Sequence, residues 1–178
     1  MFCFTITLMT PHLDPARATW HITFGTYGTR LQGDNRPTVD RKQNHATEPF
    51  IFRDQNRLVQ NQQVLKTPPL YLTLQQRQQI ETILPAICQR GGWSYRICAA
   101  PVDADHVHVL LDATCDRDPD AIMKWLKRWV SEQLTEKWGK PSSGTWWAKC
   151  GSTKPIKDED YLNNVYDYIR RQRTAPVI

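Results

Sequence analysis

Two short β-prone runs sit back to back in mid-chain, Trp93–Ala99 and His106–Leu111, with only the turn-forming stretch Pro101–Asp105 between them. A connection that short joins antiparallel neighbours and excludes a parallel crossover, which needs a dozen residues or more. A helical pattern lies on either side. Upstream, Thr73 is placed as an N-cap, Ile80, Ile83, Leu84 and Ile87 recur at helical spacing, and Gly91-Gly92 closes the run. Pro85 inside it predicts a kink. Downstream, Asp118-Pro119 opens a helix that carries Ile122, Trp125, Leu126, Trp129 and Val130 to a stop at Gly139. An alternating run from Trp20 to Tyr27 precedes the first helix, and Trp146–Ser152 is the expected fourth strand. Asp158 caps a last helix to about Arg173. The order is β, insertion, α, β, β, α, β, α. Its βαββαβ part predicts an α+β, ferredoxin-like fold with an antiparallel sheet and an added C-terminal helix. In the second strand, simple alternation puts Trp93, Tyr95, Ile97 and Ala99 on one face and Ser94, Arg96 and Cys98 on the other.

The chain has 178 residues, enough for one domain with a real core. Residues 1–18 form a lead-in, and 19–178 a single domain with a long polar insertion at about 33–69. Asp54 to Leu65 of that insertion has the pattern of a short helix. No apolar run is long enough to span a membrane, and the short apolar N-terminus lacks the basic flank of an export signal. Five cysteines, none in a C-x-x-C pair, argue against a disulfide scaffold or a four-cysteine zinc site. A reducing cytoplasm follows, and with a nucleic-acid partner a nucleoid association. The net charge of +5 suits a polyanion.

His106-Val107-His108 lies on a predicted strand, so the two imidazoles project to the same face and Val107 and Val109 to the other, toward the helices. Such a pair presents two nitrogens to one ion, and it is also compatible with two packed, hydrogen-bonded histidines. Asp103 and Asp105 just upstream are expected in a solvated turn, with orientation of a histidine as the alternative. On the last helix Leu162, Val165, Tyr166 and Ile169 form the core stripe, while Tyr161, Tyr168 and Gln172 lie on its flank. Tyr168 and Gln172 are one turn apart.

A tyrosine that attacks a phosphodiester needs help to lose its proton, a cation on the phosphate, and a strand held in line. The histidine pair with Gln172 as an oxygen ligand would hold the cation, and Tyr168 would be the nucleophile. Tyr161 and Tyr166 compete for that role, although Tyr166 falls on the core stripe. A phosphotyrosine keeps the bond energy, so no nucleotide fuel is needed, and no G-x-x-x-x-G-K-[ST] loop is present.

His106-Val107-His108, a helix, and then Tyr168-Ile169-Arg170-Arg171-Gln172 resemble the HUH single-tyrosine transposases, which comprise small insertion-sequence transposases and the REP-associated tyrosine transposases. The likeness runs roughly from residue 19 to 173. It implies magnesium or manganese bound by His106, His108 and Gln172, and Tyr168 as a nucleophile forming a 5′ phosphotyrosine. It also implies single-stranded or hairpin DNA as substrate and often a homodimer. Basic groups suited to DNA phosphates are Arg30, Arg36, Arg41, Lys42, Lys124, Lys127, Arg128, Lys149, Lys154, Arg170, Arg171 and Arg173, with the last three flanking the site. The insertion is longer than compact members of the family carry. A histidine-triad hydrolase is excluded by Leu110, where a third histidine would stand. The remaining alternative is a domesticated protein that binds hairpin DNA without cutting it.

Overall fold

The computed structural model describes residues 12–34 and 53–174. They form β1 (Arg17–Thr26), α1 (Gln55–Gln63), α2 (Leu74–Arg90), β2 (Ser94–Ala99), β3 (His106–Thr114), α3 (Pro119–Trp138), β4 (Trp147–Ile156) and α4 (Glu159–Gln172). The strands make one antiparallel sheet in the order β2-β3-β1-β4. This is the expected α+β architecture: a split βαββαβ core, with α1 inserted after β1 and α4 appended after β4. Residues 35–52, which include Arg36, Arg41 and Lys42, lie outside the described residues, and the expectations for those three rest on sequence alone.

The central strands β1 and β3 bury side chains on both faces. On one face Ile22, Phe24, Val107, Val109 and Leu111 pack under Ile80 and Leu84 of α2 and Ile122, Leu126 and Val130 of α3. On the other, Ile97, Ala99, Leu110 and Ile156 pack under Leu162, Val165 and Ile169 of α4. Each fully buried Ile or Leu contributes about 1.5–3 kcal/mol, so the two-helix face dominates stability. The α4 stripe therefore folds back onto the sheet as its spacing predicts. Asp158 caps it through the Tyr161 amide, and Arg170 and Arg171 sit in its last turn, where a cation complements the helix dipole.

Two local expectations change. Simple alternation in β2 fails because the pairing with β3 shifts between Tyr95 and Ile97. The extra residue, Arg96, flips the strand. Trp93, Tyr95 and Cys98 join the two-helix core, while Ile97 and Ala99 turn to α4. Arg96 is drawn instead to Asp112 at 2.7 Å. The helix α2 keeps its expected span with Pro85 inside it. Proline removes the N–H that would bond the Glu81 carbonyl, and the Cys98 thiol approaches that oxygen at 3.8 Å. Second, β4 extends to Ile156, past the expected end at Ser152, and includes Pro155. It is an edge strand, where a missing donor is tolerated.

The ends of β1 also differ from the expected bounds. The strand starts at Arg17, inside the lead-in, and the His12 carbonyl accepts from Arg96 Nη2 at 2.7 Å. Within the insertion the expected short helix forms as α1, with Asp54 as its cap. The chain leaving and re-entering it crosses at Gly33, where a Cβ would stand 2.4 Å from the Asp54 carbonyl oxygen.

Candidate active site

The side chains under α4 follow from strand parity. In β3, His106, His108 and Leu110 face α4. Thr23 of β1 pairs with His108, and His21 with Leu110, so His21 and Thr23 share that face. Leu110 lies beneath α4 and the two histidines lie beyond its apolar stripe, buried at 4% and 5% exposure yet lining an open cleft. The cleft holds about 630 Å³ and is bounded by His106, His108, Tyr168 and Gln172, with arginines at its rim and floor. The three proposed ligands and the proposed nucleophile thus meet in one cleft of a single chain.

The two imidazoles approach Nε2 to Nε2 at 2.9 Å, edge on. Their other nitrogens are engaged. His106 Nδ1 meets Asp105 Oδ1. Arg30 Nη2 donates to the same Asp105 oxygen at 3.3 Å and lies 2.9 Å from His106 Nδ1, so carboxylate and guanidinium together hold this edge of the ring. His108 Nδ1 lies 2.9 Å from Thr23 Oγ1 and 3.1 Å from His21 Nε2. Burial holds the His108 imidazole down at about 2, with His106, His21 and Arg30 adding repulsion. Burial, then Lys154, holds His21 down at about 4. The two Nε2 atoms thus turn toward one point on the cleft side, and a pair of imidazole nitrogens so placed is a donor set that a divalent cation takes. Among the described residues no third His, Cys, Asp or Glu joins the pair. Gln172, whose amide carries a neutral oxygen donor, lines the same cleft.

Tyr168 stands edge-on to His108 with ring centroids 5.4 Å apart and is 49% exposed. Its hydroxyl therefore serves the cleft without being sealed in it. Tyr161 and Tyr166 differ. Tyr161 is exposed and does not line the cleft, and Tyr166 packs against the α4 core.

The basic residues divide. Arg171 lines the cleft and is exposed. Lys154 pairs across from His21 and so shares the histidine face, exposed. Lys124 and Lys149 are exposed on α3 and β4. Arg30 is tied to Asp105 at the edge of the cleft. Arg170 pairs with Asp167, and Arg128 with Glu132, one turn along their helices. Two of the expected phosphate contacts also have structural partners. Lys127 Nζ donates to the carbonyls of Ala148, Lys149 and Cys150, fastening α3 to β4. Arg173 donates to the Cys98 carbonyl and the Tyr95 hydroxyl and lies 3.9 Å from Glu81, with 11% of its side chain exposed. Both are long side chains whose nearest acceptors are distant in sequence, which no local pattern reveals.

Sequence reasoning missed His21 and Thr23, whose run His21-Ile22-Thr23 alternates on β1 just as the histidine pair does on β3. Parity could have placed them on one face, but only the register puts them beside His108. Asp105, expected in a solvated turn, is 1% exposed and orients His106. Its backbone oxygen accepts the Thr26 amide at 2.8 Å, which pins the turn to β1.

The family model for IS200-like transposases matches residues 64–172. That span contains His106, His108, Tyr168 and Gln172. No curated protein matches the chain. Among solved structures it is similar to a candidate transposase from Deinococcus radiodurans R1, with 16% identity, a TM-score of 0.48, and coverage of 93% of this chain and 98% of that one.

Proposed function

The chain belongs to the IS200-like transposases, and from that premise we propose that it cuts and rejoins single-stranded DNA through a covalent link to Tyr168. The observation that carries the proposal is the Tyr168 ring set 5.4 Å from His108, whose Nε2 stands 2.9 Å from that of His106. His106, His108 and Gln172 would hold a divalent cation. Nitrogen donors with an amide oxygen suit manganese, or magnesium with water completing its shell. When bound, the ion neutralises charge on the attacked phosphate and polarises its oxygens.

The chain's own groups do the rest. The Tyr168 oxygen attacks phosphorus in line. A bond from that oxygen to phosphorus forms, the bond to the 3′ oxygen breaks, and the phenol's proton ends on the released 3′ hydroxyl by way of solvent. The 5′ phosphate stays on Tyr168. A 3′ hydroxyl from the same or another strand reverses the step, so bond energy is conserved without nucleotide fuel. Asp105 and Thr23, the latter with His21, fix the two imidazoles by their Nδ1 atoms, the orienting role that ligand histidines require. Exposed Lys154 and Arg171 extend the positive surface on either side, where a DNA backbone would lie. A hairpin next to the cut site is the substrate form that the family resemblance favours.

The test is to incubate the protein with a labelled hairpin-bearing single strand from the DNA flanking its own gene, with manganese and with chelator. A covalent protein–DNA band on a denaturing gel with manganese, and none with chelator, is the expected result. Tight binding with no band under either condition would instead favour the binding-only alternative.

A further inference from the structure

Two buried polar atoms of residues that line the cleft have no hydrogen-bond partner among the described residues. Arg77, on the first turns of α2, is 9% exposed, and its Nε has no hydrogen-bond partner. The Thr174 hydroxyl, just past α4, is buried and equally unpartnered. Both residues line the cleft of Tyr168, His106 and His108. Among the described residues no carboxylate lies within ion-pair reach of Arg77. The nearby acid is Glu81, one turn along α2, but Glu81 is already committed. Its Oε1 accepts the amides of Ala100 and Thr174 at 3.0 Å each, and its Oε2 faces Arg173 at 3.9 Å.

A buried guanidinium N–H left without an acceptor is unfavourable, and an anion in the cleft would complete it. The planar guanidinium fork matches a phosphate, and a neighbouring hydroxyl donates to the same kind of oxygen. The start of α2 adds the positive end of a helix dipole on that side of the cleft.

We propose that Arg77 and Thr174 form a second phosphate site, which takes a backbone phosphate of the bound strand next to the one that Tyr168 attacks. The site rests on the reading of the cleft as a DNA site. It fixes the strand at two phosphates rather than one, and so sets which way the scissile bond faces the phenol. Arg77 is thereby a positioning residue rather than a catalytic one.

The experiment replaces each phosphate of the hairpin-bearing strand, one at a time, by a neutral methylphosphonate. Binding is measured on full-length protein carrying Tyr168→Phe, so that no strand is consumed. The expected result is one position beside the cut where neutralisation weakens binding by roughly ten- to a hundredfold. In an added Arg77→Met background that positional loss disappears, and the slope of log affinity against log salt falls by about 0.7. Arg77→Lys keeps the charge and restores the slope. Thr174→Val removes only the hydroxyl and reduces the positional loss; it stands in for Arg77→Met should that variant fail to fold. The proposal is overturned if no phosphate other than the attacked one matters, or if the positional loss is unchanged without Arg77 or without the Thr174 hydroxyl. Adduct formation by protein with Tyr168 intact on the unmodified strand is scored separately, so failure of this site and failure of the phosphotyrosine mechanism give different results.

Discussion

On β3, Val107 and Val109 enter the layer beneath α2 and α3, whereas His106 and His108, alternating with them along the same strand, enter the cleft beside α4. The first face is apolar throughout and closed by two long helices. The second is closed by one short helix over Leu110, Ile97 and Ile156, and beyond the apolar stripe of that helix it becomes polar. The same antiparallel ladder thus serves as a core on one side and as a rigid mount on the other. Rigidity comes from the face that does no chemistry. Gly151 shows how closely that face is packed: a Cβ there would stand 2.4 Å from the Met123 sulfur and 2.6 Å from the Thr23 carbonyl oxygen. That contact seats α3 on β4 where β4 pairs with β1 beside Thr23, one of the partners of His108.

Substitutions on the two faces should therefore fail in different ways. The largest effect is expected on the cleft side. His108→Ala should lower the rate of covalent adduct formation on the order of a thousandfold, with the melting temperature little changed; comparable loss in both would blur the division. Next comes the core side. Leu126→Ala, at a fully buried position, should cost about 3 kcal/mol in a denaturant titration, within the range for such truncations. Its activity per folded molecule should match that of the unaltered protein. A smaller effect is expected from Asp105→Asn, which keeps the shape of the turn but weakens its hold on His106. Manganese affinity by calorimetry should fall roughly ten- to a hundredfold, and an unchanged affinity would return Asp105 to a purely structural role in the turn.

The division between faces was legible in the sequence where it depends on local period. Alternation at 106–109 and the 3.6-residue stripe of α4 place the histidines, the valines and Tyr168 without any long-range information. Pro119 and Asp158 mark their helix starts by the same local chemistry. What was not legible depends on pairing between distant residues. His21 reaches His108 only through the β1–β3 register. The insertion of Arg96 into β2 is visible only against β3, because a bulge has no signature in one strand alone. Lys127 and Arg173 looked like free cations, since their carbonyl acceptors come from β4 and β2. The alternation of His21-Ile22-Thr23 marks a strand, but neither residue is distinctive enough alone to mark a site.

The α4 side of the sheet also carries a buried polar network away from the cleft. Asp112 accepts from Thr19 Oγ1 and Arg96 Nε, both at 2.7 Å, and this buried group fixes β2, β3 and β1 together away from the histidines. The α4 face thus holds a structural half and a chemical half, and Tyr168 stands over the second.

The most direct test of the account is to digest the covalent protein–DNA adduct and locate the attached nucleotide by mass spectrometry, in parallel with the Tyr168→Phe variant. The account predicts a nucleotide on Tyr168 alone and no adduct from the variant. A nucleotide on Tyr161 or Tyr166, or an adduct that survives Tyr168→Phe, would contradict it.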